Sequence, residues 1–290
     1  MNDLTSGLKR RRATDKVATG VVYLTALIAI IPLVSILIVV FSRGIAAINA
    51  EFFTSTMRNI SPRREGGGIF HAFIGTLEQV GVATLIAVPV GIMVAIFLVE
   101  YGSRGKLAAA VSFFVDVMTG VPSIVAGLFI YTCFILTFGF DRSGFAAALS
   151  LTILMLPVVV RTAEEMLKLV PMDLREASYA LGVPKWVTII KIVIPTALSG
   201  IITGVMLAVA RVAGETAPLL LTTFMTQSLN LDVFSGPQAA IPTFVWDQIA
   251  NGTNPSMDRA WAGALVLIVL VAVIYIVAKV LAARFAPKSK

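Results

Sequence analysis

From Val17 to Ser42 the chain carries no charged side chain, and that run restricts the fold more than any other feature. About 20 apolar residues in succession suffice to cross the hydrocarbon core of a bilayer. Inside that core no water satisfies a backbone N–H or C=O, so the segment must close its own hydrogen bonds as a helix. The run is longer than the roughly 7–15 apolar residues of a secretory signal. The Ala-rich stretch behind it, Ala46 to Ala50, only weakly imitates a cleavage site, so an uncleaved anchor is expected.

Five further apolar spans follow. One runs from about Phe73 to Val99, interrupted only by Glu78, and the next lies within Leu107 to Phe138. That third stretch is longer than one crossing needs. Asp116 and the Thr119–Ser123 segment (TGVPS) are expected to break it, because proline lacks a backbone donor and disfavours helix just before itself. Gly144 to Val160, about Val193 to Phe224 and Ala260 to Ala282 complete the set. The expectation is an all-α polytopic membrane helix bundle with six transmembrane helices. It divides into a basic N-terminus (1–16), a first helix (17–42), an outer loop (43–68) and a five-helix core (70–285). Within the core, 161–191 forms one long loop and 225–259 another. Phe224, Phe234, Phe244, Val245, Trp246 and Ile249 argue against disorder in the second loop, and a re-entrant or surface helix is expected near Thr243–Ala250.

Charge is scarce, at 13% of residues against roughly 25% in a soluble domain, while 58% are hydrophobic. The net charge of +7 would suit a nucleic-acid partner, but this hydrophobicity would not, so lipid is the expected surroundings and nucleic acid is not. Counted loop by loop, sixteen basic residues fall on one side of the six spans and six on the other. Basic loops stay in the cytoplasm, which puts both termini inside. Arg211 alone of the basic residues lies within a span. A single cysteine, Cys133, excludes an internal disulfide, and its apolar neighbours suggest an inert thiol. His71, the one histidine, reads as an interfacial residue rather than a proton relay.

The chain has no G-x-x-x-x-G-K-[ST] phosphate loop, no G-x-S-x-G, no H-E-x-x-H and no G-x-G-x-x-G. Without a nucleotide site or catalytic constellation it is not expected to be an enzyme. A channel, a secondary transporter, or the membrane half of a pump driven by another chain remain.

Two segments carry chemistry. In the loop 161–191, Pro171 stops the preceding element, and Asp173 stands three residues before Glu176, the spacing of a capping box. A helix is expected from Leu174 to about Leu181, stopped by Gly182 with Pro184 beyond. Two turns are too short to be stable alone in water. Ala177, Ser178 and Ala180 are small enough for another protein to approach, and Leu174, Tyr179 and Leu181 offer anchoring area. A solvated connector would show the same pattern. In the fifth span, Arg211 and Glu215 lie four apart and share a helix face. An ionisable group at that depth is costly and normally faces the bundle interior or a water-filled path. The pair could merely neutralise itself, or Arg211 could grip an oxyanion through its planar fork. Gly214 and Pro218 flank the charges and could break the helix there. Gly200 and Gly204 permit close helix approach.

Glu176-Ala177-Ser178, three residues, Gly182, nine residues, Ile192-Val193-Ile194-Pro195 resembles the EAA loop of ABC importer permeases, with Ser178 for the third-position alanine and Ile194 for leucine. The segment from Arg211 through Gly214-Glu215-Thr216-Ala217-Pro218 to Thr222 resembles the signature of the PstA-type permeases of phosphate-specific ABC importers. Gly120-Val-Pro-Ser-Ile-Val-Ala-Gly-Leu128 is similar to the same family's third span. The resemblance covers about Phe70 to Phe285 and implies the type I ABC importer permease fold. It further implies that Glu176, Ala177, Ser178, Leu181 and Gly182 couple to a separate ATPase. By the same resemblance Arg211 and Glu215 line the substrate path, and Arg161 occupies a place where the family also has an arginine. A positive-inside anchor explains Arg161 equally well. The implied partners are a second homologous (PstC-like) permease, two PstB-like ATPases holding ATP and Mg, and an external PstS-like phosphate-binding protein. The chain itself is expected to bind no metal or cofactor. A permease for another oxyanion such as molybdate or sulfate, a stand-alone secondary transporter, and a membrane signalling protein stay as alternatives.

Overall fold

The computed structural model describes residues 2–102 and 105–285, and the basic residues Arg104, Lys288 and Lys290 counted above lie outside them. Among the described residues there is no strand. The helices run α1 (Asn2–Ala47), α2 (Ala50–Thr54), α3 (Phe70–Ile96), α4 (Lys106–Thr119), α5 (Ser123–Ile130), α6 (Gly144–Lys168) and α7 (Met172–Ala180). They continue with α8 (Lys185–Thr188), α9 (Ile194–Ala213), α10 (Ala217–Thr222), α11 (Ile241–Asn251) and α12 (Asn254–Phe285). Wide π-type turns extend α3 over Phe97–Tyr101 and α5 over Tyr131–Thr137, and join α8 to α9 over Ile189–Val193.

Five helical stretches are long and apolar enough to cross a membrane: Thr14–Ala47, Phe70–Tyr101, Gly144–Lys168, Lys185–Ala213 and Asn254–Arg284. The sixth expected span is a pair, Lys106–Thr119 and Ser123–Thr137, bent by 108°. The TGVPS segment therefore breaks the third span outright, with Gly120 closing α4 and Pro122 opening α5. The helix expected near Thr243–Ala250 is α11, and the Thr243 hydroxyl accepts the Ala240 amide at its start.

At the centre stands α6, whose Ala146, Ala147, Ala148, Leu151, Met155, Val159 and Leu167 are fully buried. Lipid is as apolar as leucine, so helices in a membrane gain by close packing of small side chains rather than by leaving water. Ala83, Ala87, Gly91 and Ala95 recur every four residues along α3, all buried, and α3 packs on α6 along this stripe. On the other side α9 brings Gly200 and Gly204 against α6. A Cβ at Gly204 would sit 2.5 Å from Thr162 Cβ, and one at Gly200 would sit 2.2 Å from Met166 Sδ. Methionine can bend away and a β-branched threonine cannot. Gly204→Val should therefore destabilise the bundle by about 1–3 kcal/mol. Gly81→Val, with nothing within 4 Å of its Cβ position, should stay near the unaltered chain. Thermal loss of the monodisperse species in detergent, read by size exclusion, checks the difference.

The two long loops fold together at one end of the bundle. Phe52, Met57, Ile69, Ile241, Phe244 and Val266 form a small core there. Arg259, only 6% exposed, donates to the carbonyls of Pro62, Arg64 and Gly66 and to Gln248 Oε1 at 2.8–3.2 Å. A residue that counts in the sequence only as an outer-loop charge is thus the pin between the first loop, α11 and α12. His71 is sealed beneath it, 1% exposed, its ring edge-on to Phe244 at 5.8 Å. It is the second residue of α3, and both its ring nitrogens lack a partner among the described residues.

Candidate functional site

Pro218 decides where the fifth span ends. It cannot donate to the carbonyl four residues back, at Gly214, and its ring would collide there. The amides of Gly214 and Glu215 instead close short turns onto Arg211 and Val212 carbonyls, both at 3.2 Å, and α9 stops at Ala213. The helix is interrupted over Gly214–Thr216, and α10 begins at Ala217. Arg211 falls in the last turn of α9 and Glu215 in the break itself.

The two charges are held loosely. Arg211 Nε lies 4.0 Å from Glu215 Oε1, beyond hydrogen-bond range, and the side chains are 56% and 19% exposed. Arg211 does not point into its own bundle. The face of α9 that does carries Val205, Ala208, Val209 and Val212, whereas Arg211 continues the outward face of Leu207, which is 57% exposed. The bundle interior expected for this charge is filled by those small residues. A guanidinium turned outward from a membrane span cannot rest in hydrocarbon without a large cost. That face is complete only when water or another chain lies against it.

Gly127 in α5 packs on Pro218 in α10. A Cβ at Gly127 would stand 2.6 Å from Pro218 Cα. The two broken spans meet at this contact, and with them the Gly120–Leu128 and Arg211–Thr222 segments. Arg161, by contrast, is fully engaged. Its guanidinium reaches Asp116 at 2.6 Å, Glu164, and both the carbonyl and hydroxyl of Ser112 at 2.8 Å. Lys168 shares Glu164 at 2.6 Å. The cluster borders a cavity of about 620 Å³ lined by Leu98, Lys106, Ala109, Ser112, Glu164 and Lys168. Of its two carboxylates Asp116 is the more exposed, at 66%, and so the one an anion would displace.

At the end opposite the two loops, α7 hangs below the bundle. It begins at Met172 with Pro171 as its cap, and no side chain caps it. The expected capping box between Asp173 and Glu176 does not form, because proline already presets the entry dihedral and the helix starts two residues early. Asp173 sits in the first turn, where a carboxylate still favours the helix dipole. Gly182 takes φ +73°, the left-handed stop expected of it. Glu176, Ala177 and Leu181 are exposed, Leu181 at 83%. Leu169, Met172, Leu174, Tyr179 and Trp186 are exposed around them, and so are the carboxylates of Asp173 and Glu176. Ser178 is the exception. It is 3% exposed and its hydroxyl meets that of Thr188 at 2.8 Å, so it faces its own chain.

The sequence gives no sign of what holds α7 in place. Arg175, apparently one more basic residue of a cytoplasmic loop, is 6% exposed and paired to Glu100 at 2.9 Å. Lys185 donates to the Glu100 carbonyl and lies over the Tyr101 ring at 4.8 Å. Glu100 closes the second span as an isolated acid, which is the only hint in the sequence. Nothing in the pattern pairs it with a residue 75 positions away. No group of three or more His, Cys, Asp or Glu side chains among the described residues could hold a metal.

Residues 87–290 match the family model described as binding-protein-dependent transport system inner membrane component. The phosphate transport system permease protein PstA 1 of Mycobacterium tuberculosis (strain CDC 1551 / Oshkosh) is 49% identical over 93% of this chain and 88% of its own length. The phosphate transport system permease protein PstA of Xylella fastidiosa (strain 9a5c) is 40% identical over 95% of each. Among solved structures, a bacterial alginate ABC transporter superposes with TM-score 0.66 over 93% of this chain and 96% of its own, at 16% identity. The MetNI methionine ABC transporter, inward facing, gives 0.63 over 73% and 94%, at 20% identity. These last two likenesses are of fold: the bundle is that of type I ABC importer permeases.

Proposed function

We propose a function from one premise: the chain belongs to the binding-protein-dependent transport system inner membrane components. It is the permease subunit of an ATP-driven importer that moves inorganic phosphate into the cytoplasm. It does no covalent chemistry itself; ATP and Mg belong to a separate ATPase. The observation that carries this reading is the setting of Arg211. An always-charged fork, bound to nothing at hydrogen-bond distance, stands at a helix break on a face its own chain leaves uncovered.

That face is covered by a second, homologous permease, and the phosphate path runs between the two. The basic excess sets the α7 end and both termini in the cytoplasm, so the folded loops at the other end receive phosphate from an external binding protein. Released phosphate meets Arg211 through two parallel N–H···O bonds. Glu215, 4.0 Å from it, is the counter-charge that holds Arg211 while the path is empty. It also keeps affinity modest, since an ion bound too tightly could not leave. Arg161 is a second, conditional contact near the inner end, available when the anion takes it from Asp116. At the cytoplasmic end two ATPase subunits dock, one of them on the face of Glu176, Ala177, Leu181 and Gly182. Ser178 supports that face from behind through Thr188. Closure of the ATPases on ATP then swings the path between inward and outward openings.

Uptake of labelled phosphate, sulfate and molybdate into vesicles containing the complete complex tests the reading. ATP-dependent accumulation of phosphate over both competitors is expected. Equal accumulation of sulfate or molybdate would remove the substrate assignment, and uptake undiminished without ATP would point to a stand-alone transporter.

A further inference from the structure

Of the nine residues of α7, only Arg175 and Ser178 are buried. They lie three apart and so share one face. Every other residue of the helix is turned to solvent, and Pro171 and Gly182 interrupt the chain on either side. Apart from the chain on either side, force that reaches α7 from outside enters the bundle through these two side chains.

Arg175 uses all five of its N–H donors. Nε and one Nη donate to Glu100 Oε1 at 3.1 and 2.9 Å, and the same Nη donates to the Leu167 carbonyl at 3.0 Å. The other Nη reaches the carbonyls of Val170 at 2.6 Å and Pro171 at 3.5 Å. Glu100 ends the second span, and Leu167 and Val170 end the fourth. Lys185, which opens the fifth span, donates to the backbone carbonyl of the same Glu100. Ser178 adds its own link to that span through Thr188. One carboxylate thus stands where three spans and the short helix converge. Both flanking helices carry π-type turns there, Phe97–Tyr101 and Ile189–Val193, and such turns recur at functional positions.

An ion pair with side chains 7% and 5% exposed is a costly way to hold a position, where an apolar pair of like volume often does as well. What the guanidinium adds is direction: five bonds fix the helix in distance and angle against two spans at once, where an apolar contact would let it slide. We propose that Glu100 and Arg175 are a positioning strut that makes α7 move as one body with the inner ends of the second and fourth spans, so that hydrolysis on a docked ATPase is converted into transport. The proposal rests on the coupled-importer reading above and deepens it. Neither residue touches substrate.

The test uses the complete complex reconstituted in vesicles with the external binding protein, reading phosphate moved and ATP hydrolysed in the same sample. The paired variant Glu100→Leu with Arg175→Met keeps the site filled and uncharged, so assembly is expected to persist. Phosphate moved per ATP should fall about 10-fold, the scale on which changes along a coupling route act, while ATP hydrolysis continues. An unchanged ratio overturns the strut. If the pair does not assemble, Glu100→Asp keeps the charge and withdraws it by one methylene. A smaller fall in the same ratio is then expected, and no fall is equally fatal. A complex that hydrolyses ATP but moves no phosphate even unaltered would count against the function rather than the strut. Spin labels at Asp173 and Leu85, exposed on α7 and α3, then decide. Their distance should stay sharply distributed through ATP turnover in the unaltered chain and broaden in the variant; equal breadth in both overturns the strut.

Discussion

Arg211→Ala is expected to abolish ATP-driven phosphate uptake while the complex still assembles. The side chain packs against little of its own chain, with 56% of it exposed, and its one charged partner stands at 4.0 Å. Exposed ion pairs at such spacing contribute about 0–1 kcal/mol, so the fold loses little with it. The effect on an anion is far larger. Removing the guanidinium leaves Glu215 as the nearest charge on the path. At about 4 Å, and at an effective dielectric of about 20, reversing attraction into repulsion is worth about 4 kcal/mol or more. That is on the order of a 10³-fold loss of uptake, since each 1.4 kcal/mol is tenfold. Arg211→Lys keeps the charge and forfeits the fork, and should retain a measurable fraction. Adding Glu215→Gln to Arg211→Ala removes the repulsion and should recover part of the loss. Initial rates of labelled phosphate uptake, beside co-purification of the partner chains, check all three. Normal uptake by Arg211→Ala would remove Arg211 from the path.

The parts of this molecule that hydropathy can report were legible in the sequence. The six spans follow from runs of apolar residues. The two breaks follow from Pro122 and Pro218, because a missing amide acts on its own helix and needs no partner. Gly182 was legible for the same reason: a left-handed stop is a property of one residue. Orientation of a side chain is not. Arg211 was expected to face either the bundle interior or a water-filled path, and it faces outward from its own bundle, a choice that the sequence of one helix does not make. Ser178 reads as part of a docking face and turns the other way, because its hydroxyl finds Thr188. The start of α7 was misplaced by two residues, where Pro171 competed with the Asp173–Glu176 spacing and won. Glu100–Arg175 and the grip of Arg259 on the carbonyls of Pro62, Arg64 and Gly66 could not be read at all. Both are long-range pairings of charges that topology alone already explains, so nothing in the pattern asks for a second role.

Glu176→Lys should separate the permease from its ATPase. Glu176 is exposed and makes no hydrogen bond or ion pair among the described residues; Met172, four residues before it, and Tyr179, three after it, flank it on the same helix face and are 62% and 41% exposed. A carboxylate flanked by exposed large side chains has the composition of a binding centre, in which the side chains supply area and the charge sets register. Because the side chain touches nothing in its own chain, reversing its charge leaves α7 and the strut behind it intact. The loss falls on the partner, whose complementary charge is buried against a like one. Disrupting such a pair typically costs 2–5 kcal/mol, so binding should weaken by about 30-fold or more. Gly182→Val tests the same face by another route. No atom lies within 4 Å of its Cβ position, so there is no clash to relieve, but φ +73° forces a branched residue into the left-handed region. That costs about 1–2 kcal/mol, enough to unwind the end of a nine-residue helix and move Leu181. Pull-down of the ATPase with the tagged permease in detergent reads both variants. Unaltered thermal stability of the permease alone separates lost docking from lost fold. Full recovery of the ATPase with Glu176→Lys would mean that the docking face lies elsewhere.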